Sequence, residues 1–323
     1  LTMAGYEVAP SPETVHWGHL DATLTPTLEI ESGDTLTLHS VSGSPDEAPD
    51  SRFTLRPELA AIHAARKPEL GPHILTGPVF VRGARPGDAL KVEILDVSLR
   101  DDWGFNLTMA GKGALPDEFP EHRYHLAIDR ERRTITAPWG LTFDARPFFG
   151  IMAVAPAPDA GRITSVIPGT FGGNIDNKEL CAGATLWLPV AAEGALFSAG
   201  DGHASQGDGE VCGTAIESAM DISVTLDLVK GAAPRFPRFS TPGPVSRHLD
   251  GAGYEVTTGI GPDLMAAARD AVSGMIDHLG RWRGMAPEDA YLLCSVCGDL
   301  RISEVVDAPN WVVSFYFPRI AFE

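Results

Sequence analysis

Apolar and polar positions alternate with a period of two in several runs of this chain, and each such run predicts a short, half-buried strand. Residues 24–42 read as a hairpin. Thr27-Leu28-Glu29-Ile30 alternates, Glu31-Ser32-Gly33-Asp34 turns, and Thr35-Leu36-Thr37-Leu38 alternates back. A turn at Ala84-Arg85-Pro86-Gly87-Asp88 feeds the alternating strand 90–94. Residues 124–128 and 134–136 form a second hairpin, with the charged stretch 129–133 as its solvated tip. Residues 147–155 are apolar without alternation and predict a buried strand; 185–190 predict another. The clearest alternation is Ile222-Ser223-Val224-Thr225-Leu226-Asp227-Leu228.

Toward the end the period changes. Pro262 opens and Gly284 closes a helix with Leu264, Met265, Ala268, Val272, Met275, Ile276, Leu279 and Trp282 at helical spacing. A second helix starts at Pro287, with Glu288 and Asp289 in the first turn, where they favour the helix dipole. Residues 311–317 close the chain as a strand, 57–66 suit a short helix, and 101–123 lack periodicity and predict a long loop. Four prolines in 231–245 suggest a crossing between parts. The expected fold is α+β and β-rich: interleaved β-sandwich or barrel-like units followed by an α+β C-terminal portion. The expected segments are 1–100, 101–235 and 236–323.

Composition narrows the function. A net charge of −18 argues against nucleic acid, which needs clustered Lys and Arg, and against anionic membranes. No apolar run approaches the ~20 residues that span a bilayer. The first twenty residues lack a basic stretch followed by an apolar one, so a cytoplasmic location is expected. Four cysteines do not make a disulfide framework; Cys294-Ser295-Val296-Cys297 has redox or zinc spacing but lacks two further soft ligands, and a reduced, structural role is expected.

The chemistry concentrates in residues 200–217. Asp201, His203, Asp208, Glu210 and Glu217 are separated by five glycines, with no basic residue among them. Acids with one histidine on such a loop fit a cation better than they fit packing. A second polar, glycine-rich loop, 169–177, lacks the Gly-Lys-Ser/Thr ending of a phosphate cradle, so Gly173, Asn174 and Asp176 are read as groups binding a substrate amide or a metal-bound water. His73, between Gly71-Pro72 and Thr76-Gly77-Pro78, is held where a loop can present it to a cavity.

The 200–217 run resembles the acetamidase/formamidase family, hydrolases that release ammonia from small amides. Other pieces match in order: His16-Trp17-Gly18 with Asp21 and Ala22, Gly71-Pro72-His73, Thr76-Gly77-Pro78, Gly172-Gly173-Asn174 with Asp176, Gly298-Asp299-Leu300-Arg301-Ile302, and Asp307-Ala308-Pro309-Asn310-Trp311. Segments 46–66 and 101–146 depart from the pattern. The resemblance implies an amidase acting on acetamide or formamide, assembled as a homo-oligomer; some relatives open small lactams. It also supports His16 and Asp21 as site residues, with His19 read as scaffold.

Breaking an unactivated amide requires a nucleophile, a polarised carbonyl and a proton for the leaving amine. A zinc-type ion supplies the first two, and a carboxylate can carry the proton. The expected ligands are His203, His73 and Glu217. Glu210 is the expected proton shuttle, with Asp201 and Asp21 as further catalytic groups, and His16, Gly173, Asn174 and Asp176 binding substrate. Zinc is the expected metal. A calcium ion clipped at Asp208-Gly209-Glu210 would instead only stabilise the loop. A covalent Glu-Lys-Cys site could use Glu210, Lys178 and Cys212, and a binding protein could hold a small ligand without turnover.

Overall fold

The computed structural model describes residues 4–245 and 249–322. It is built from many short strands in several sheets with three α-helices among the described residues, a β-rich α+β protein as the alternation predicts. None of its described helices is long and apolar enough to cross a membrane. The chain gathers into two units. One holds the residues up to Asp102 together with Pro147–His203 and Ser218–Gly243; the other holds Trp103–Arg146, Ala204–Glu217 and the residues from Pro244 onward. The chain passes between them at 102/103, 146/147, 203/204, 217/218 and 243/244. The crossing at 203/204 divides the glycine-rich run 200–217 between the two units, and 217/218 falls at its end.

The first unit carries two six-stranded sheets. In the first, the order is Gly5–Val8, Asp34–His39, Met220–Val229, Ala89–Leu99, Thr185–Pro189 and Arg238–Ser240. Burial alternates along Asp34–His39 and Met220–Val229, as one face packs and the other meets water. The second runs Gly172–Asn174, Phe148–Ala153, Phe197–His203, Ile74–Val81 and Val15–Trp17, with Leu28–Ile30 pairing parallel to Ile74–Val81. Its central strands are buried on both faces, which explains the missing alternation at 147–155.

Three local expectations are corrected. Residues 24–42 are two strands but no hairpin. Leu28–Ile30 joins the second sheet, whereas Asp34–His39 pairs with Gly5–Val8 and Met220–Val229 in the first. The turn between them closes on itself, Glu31 N–H donating to Asp34 Oδ2 at 2.9 Å, but Gly33 N–H reaches Leu226 O at 2.8 Å. Local alternation selects a buried side, not a partner, and the long-range partners won. Second, Trp103–Thr108 is a fully buried strand inside the segment read as a loop. It pairs with His122–Asp129, which in turn pairs with Thr134–Thr136 as the second hairpin predicts. Third, the glycine-rich run begins as a strand, because Phe197–His203 includes Asp201 and His203.

The second unit adds the C-terminal layer. Helix Leu264–Arg283 is capped by Asp263, whose carboxylate accepts from Ala266 N–H at 2.7 Å, and ends at Gly284. Val272, Met275 and Leu279 are buried, and Thr257 Oγ1 of strand Tyr254–Gly261 donates to Ala271 O at 2.7 Å. Strands Tyr254–Gly261, Trp311–Pro318 and Asp299–Glu304 form an antiparallel sheet, and helix Pro287–Cys297 precedes the last of these in sequence.

Two glycines of the central run, Gly200 and Gly202, serve close strand packing. A β-carbon on Gly200 would lie 2.5 Å from Ile74 O and 2.8 Å from Leu75 Cδ2. Strand propensity alone would favour alanine there by about 0.5–1 kcal/mol. We expect the reverse: Gly200→Ala destabilises by about 1–3 kcal/mol through overpacking. Urea unfolding should show a lowered midpoint with an unchanged slope; a raised midpoint would refute the packing argument.

Candidate active site

Strand Phe197–His203 lies against Phe148–Ala153 with register Phe148↔His203, Phe149↔Gly202 and Ile151↔Gly200, which leaves Gly150 opposite Asp201. A β-carbon on Gly150 would meet Asp176 Oδ1 at 2.5 Å, Asp201 Oδ2 at 2.5 Å and His203 Cε1 at 2.9 Å. Three side chains therefore converge over a position that only glycine fits. Asp176 arrives from the turn after strand Gly172–Asn174, its N–H donating to Gly150 O at 3.2 Å. Gly150 thus provides both the floor and one anchor of the cluster.

Asp176 and Asp201 have φ of 49° and 59°, in the left-handed region. Side chains there cost about 1–2 kcal/mol per residue, so both conformations are held by their surroundings. His203 is buried, and its ring stands edge-on to Phe148 with centroids 5.0 Å apart. His203 Nε2 lies 3.3 Å from Asp201 Oδ2, and His73 Nε2 lies 3.9 Å from the same oxygen. Ser165 Oγ, 2.9 Å from His73 Nδ1, fixes the second ring. Two imidazoles flank one carboxylate oxygen.

This donor set fits a divalent cation. Asp176 with His203, and Asp201 with His203, each bring ligand atoms within 4.8 Å of one another. Carboxylate oxygens mixed with imidazole nitrogens suit zinc and its neighbours, whereas calcium prefers oxygens throughout. Asp176, expected on the substrate, sits with the ligand-type groups.

The remaining candidates are distributed as follows. His16 is buried; its Nδ1 is 2.7 Å from His19 O and its Nε2 is 2.9 Å from Ser198 Oγ. Burial above all lowers its pKa to about 4, so the ring is neutral near pH 7. Asp21 is engaged in its own turn, accepting from Thr23 N–H and Thr23 Oγ1 at 2.8 Å each, with Arg162 Nε at 3.5 Å. The Thr23 amide leads the causes that lower its pKa. Asn174 Nδ2 donates to Val166 O at 3.3 Å, and Gly173 pairs with Met152.

Glu210 and Glu217 belong to the second unit. Glu217 is buried and bridges backbone to backbone with Phe105, and its Oε1 accepts from Ala215 N–H at 2.9 Å. Cys212 is buried with Asn106, Thr214 and Leu107 around its sulfur, and burial raises its pKa. A thiol kept protonated is a poor nucleophile, which weighs against a covalent mechanism. Cys294 and Cys297 are buried and take part in no disulfide among the described residues. Sequence reasoning missed Gly150 and Ser165. A glycine interrupting the apolar strand at 150 was the available signal, since such a glycine often marks close approach by another group.

A family model described as the Acetamidase/Formamidase family matches residues 64–163 and 159–323. A formamidase of Methylophilus methylotrophus is 28% identical over 319 residues, covering 78% of this chain and 77% of the relative. An acetamidase of Mycolicibacterium smegmatis is 28% identical over 303 residues, covering 71% and 74%. Among solved structures, a gamma lactamase from Delftia acidovorans superposes with a TM-score of 0.83 at 25% identity, covering 98% of this chain and 93% of the other.

The buried His16 makes stability depend on pH. Its folded pKa of about 4 lies below the unfolded value of 6.5, so the unfolded chain binds the proton first. The contribution is complete above pH 6.5 and falls as the pH drops from there toward 4, by about 3 kcal/mol in all. Urea midpoints measured between pH 7 and 5 should fall less steeply in His16→Gln than in the native chain. Parallel slopes would show that His16 does not titrate as a buried group.

Proposed function

The chain belongs to the acetamidase/formamidase family, and from that premise we propose that Asp176, Asp201 and His203 hold a divalent cation, zinc by their chemistry, beside His73. The chain is an amidase of linear amides, hydrolysing the C–N bond of a small neutral carboxamide to carboxylate and ammonia. The convergence of two carboxylates and an imidazole over Gly150 is the observation that carries the metal assignment. A cation held by these residues would lower the pKa of a bound water to about 7 and polarise a carbonyl oxygen.

The chain's own groups supply the rest. Asp201, flanked by two imidazoles, orients the cluster, and Ser165 holds His73 toward it. Asn174 and Gly173, on the strand leading to Asp176, are proposed to bind the amide. Two roles rest on the sequence pattern: Glu210 as the donor of a proton to the leaving nitrogen, and Glu217 as a further ligand. The likeness in fold to a gamma lactamase favours one second reading, a small cyclic amide as substrate.

A homo-oligomer is also proposed. On strand Tyr254–Gly261, Val256 and Ile260 alternate with Thr257, which bonds the helix, and both stay exposed. Sedimentation at micromolar concentration should give a mass above the 34.4 kDa of one chain, and that mass alone would refute assembly.

Two variants test the site. His203→Ala should lose bound metal and ammonia release from acetamide and formamide while keeping its circular dichroism. Glu210→Gln should keep its metal and lose about 10²–10⁴-fold in kcat, the usual size of a general acid–base contribution. Full metal occupancy in His203→Ala would defeat the ligand assignment. Metal loss in Glu210→Gln would make Glu210 a ligand instead.

A further inference from the structure

The Cys294-Ser295-Val296-Cys297 motif finds no use in the proposed chemistry, yet Ser295, one of the two residues between its cysteines, bonds the segment 207–214 three times. Ser295 is fully buried on helix Pro287–Cys297. Its carbonyl accepts from Gly207 N–H at 2.9 Å, its hydroxyl accepts from Cys212 N–H at 3.2 Å, and the same hydroxyl donates to Thr214 O at 2.6 Å. These three points bracket Glu210. Four residues earlier on the helix, Tyr291 OH donates to Val211 O at 2.5 Å and accepts from Leu115 N–H at 2.9 Å. Val211 follows Glu210 directly. Burial raises the Tyr291 pKa, so the hydroxyl keeps the proton it donates.

Glu210 needs such a hold. Its φ is 43°, a left-handed conformation that a glutamate adopts only when its surroundings over-determine it. Its own backbone closes a tight turn on either side: Glu210 N–H donates to Gly207 O at 3.2 Å, and Glu210 O accepts from Gly213 N–H at 2.8 Å. On the arm before Glu210, Asp208 N–H donates to Asp299 Oδ1 at 3.0 Å and Leu300 N–H to Asp208 O at 2.8 Å. Helix Pro287–Cys297 and the strand after it therefore grip both arms of the turn whose tip is Glu210.

We infer that Ser295 and Tyr291 are positioning residues for the amidase reaction, fixing the Glu210 turn through their hydroxyl groups. The inference rests on the reading of Glu210 as proton donor. A carboxylate that must deliver a proton at one step tolerates little misplacement, so loosening the turn should lower kcat while leaving substrate affinity and the metal in place.

The test is a double-mutant cycle on acetamide hydrolysis with metal content measured for each protein. Ser295→Ala should lose about tenfold in kcat, the equivalent of one buried hydrogen bond, with KM and metal content near native. In a Glu210→Gln background it should cost nothing further, because the two act through one group. If the two losses multiply, or if Ser295→Ala keeps native kcat while Glu210→Gln is impaired, the positioning role is wrong. If Glu210→Gln itself keeps native kcat, the reading of Glu210 fails, and the inference falls with it. Tyr291→Phe, which removes one hydroxyl and preserves the ring, carries the same cycle with the same outcomes should Ser295→Ala fail to fold.

Discussion

The structure turns on an electrostatic constraint over Gly150. Asp176 Oδ1 and Asp201 Oδ2 each stand 2.5 Å from one point above that glycine, and so are no more than about 5 Å apart. At that separation two ionised carboxylates repel by about 3 kcal/mol at an effective dielectric of about 20. Both residues also carry left-handed backbone, a second cost at the same place. A fold selected for stability alone would not gather these costs. A site that has to attract a cation gains from both, because the charge is concentrated and its geometry is set before anything binds.

That constraint explains the strand around it. Phe197–His203 is buried along its whole length, between Phe148–Ala153 on one side and Ile74–Val81 on the other. Residues on such a strand move less than residues on a loop, and distances of a few tenths of an ångström matter to a metal ligand. The strand's glycines let neighbouring backbone come close, while Asp201 and His203 share it with Ser198, the partner of His16. One strand thus links the candidate metal cluster to the buried histidine of the N-terminal motif.

The second unit treats its part of the same run differently. Residues after Ala204 leave the strand, and their shape is set by side chains of helix Pro287–Cys297 and by Asn106. Asn106 Nδ2 lies within 3.5 Å of Cys212 Sγ, Thr214 Oγ1 and the carbonyls of Thr214 and Ala215. Cys212, a conceivable nucleophile on paper, is consumed by this scaffold. A glycine-rich stretch with few apolar groups cannot order itself by packing, so it is ordered by hydrogen bonds from a rigid neighbour.

Much of this was legible in the residues alone. Period-two alternation located Met220–Val229 and Thr185–Pro189, and helical spacing between Pro262 and Gly284 located Leu264–Arg283. These signals are local: they report which side of an element is buried, and every residue needed to read them lies within a few turns or pleats. The crowding of Asp201 and His203 in one short run was visible for the same reason. Tertiary structure alone decided that Leu28–Ile30 and Asp34–His39 enter different sheets, and that Asp176 meets Asp201 and His203 above Gly150. Those outcomes depend on strands paired across scores of residues. Alternation names a face but never a partner, so the meeting of three side chains over one glycine is written only in the fold.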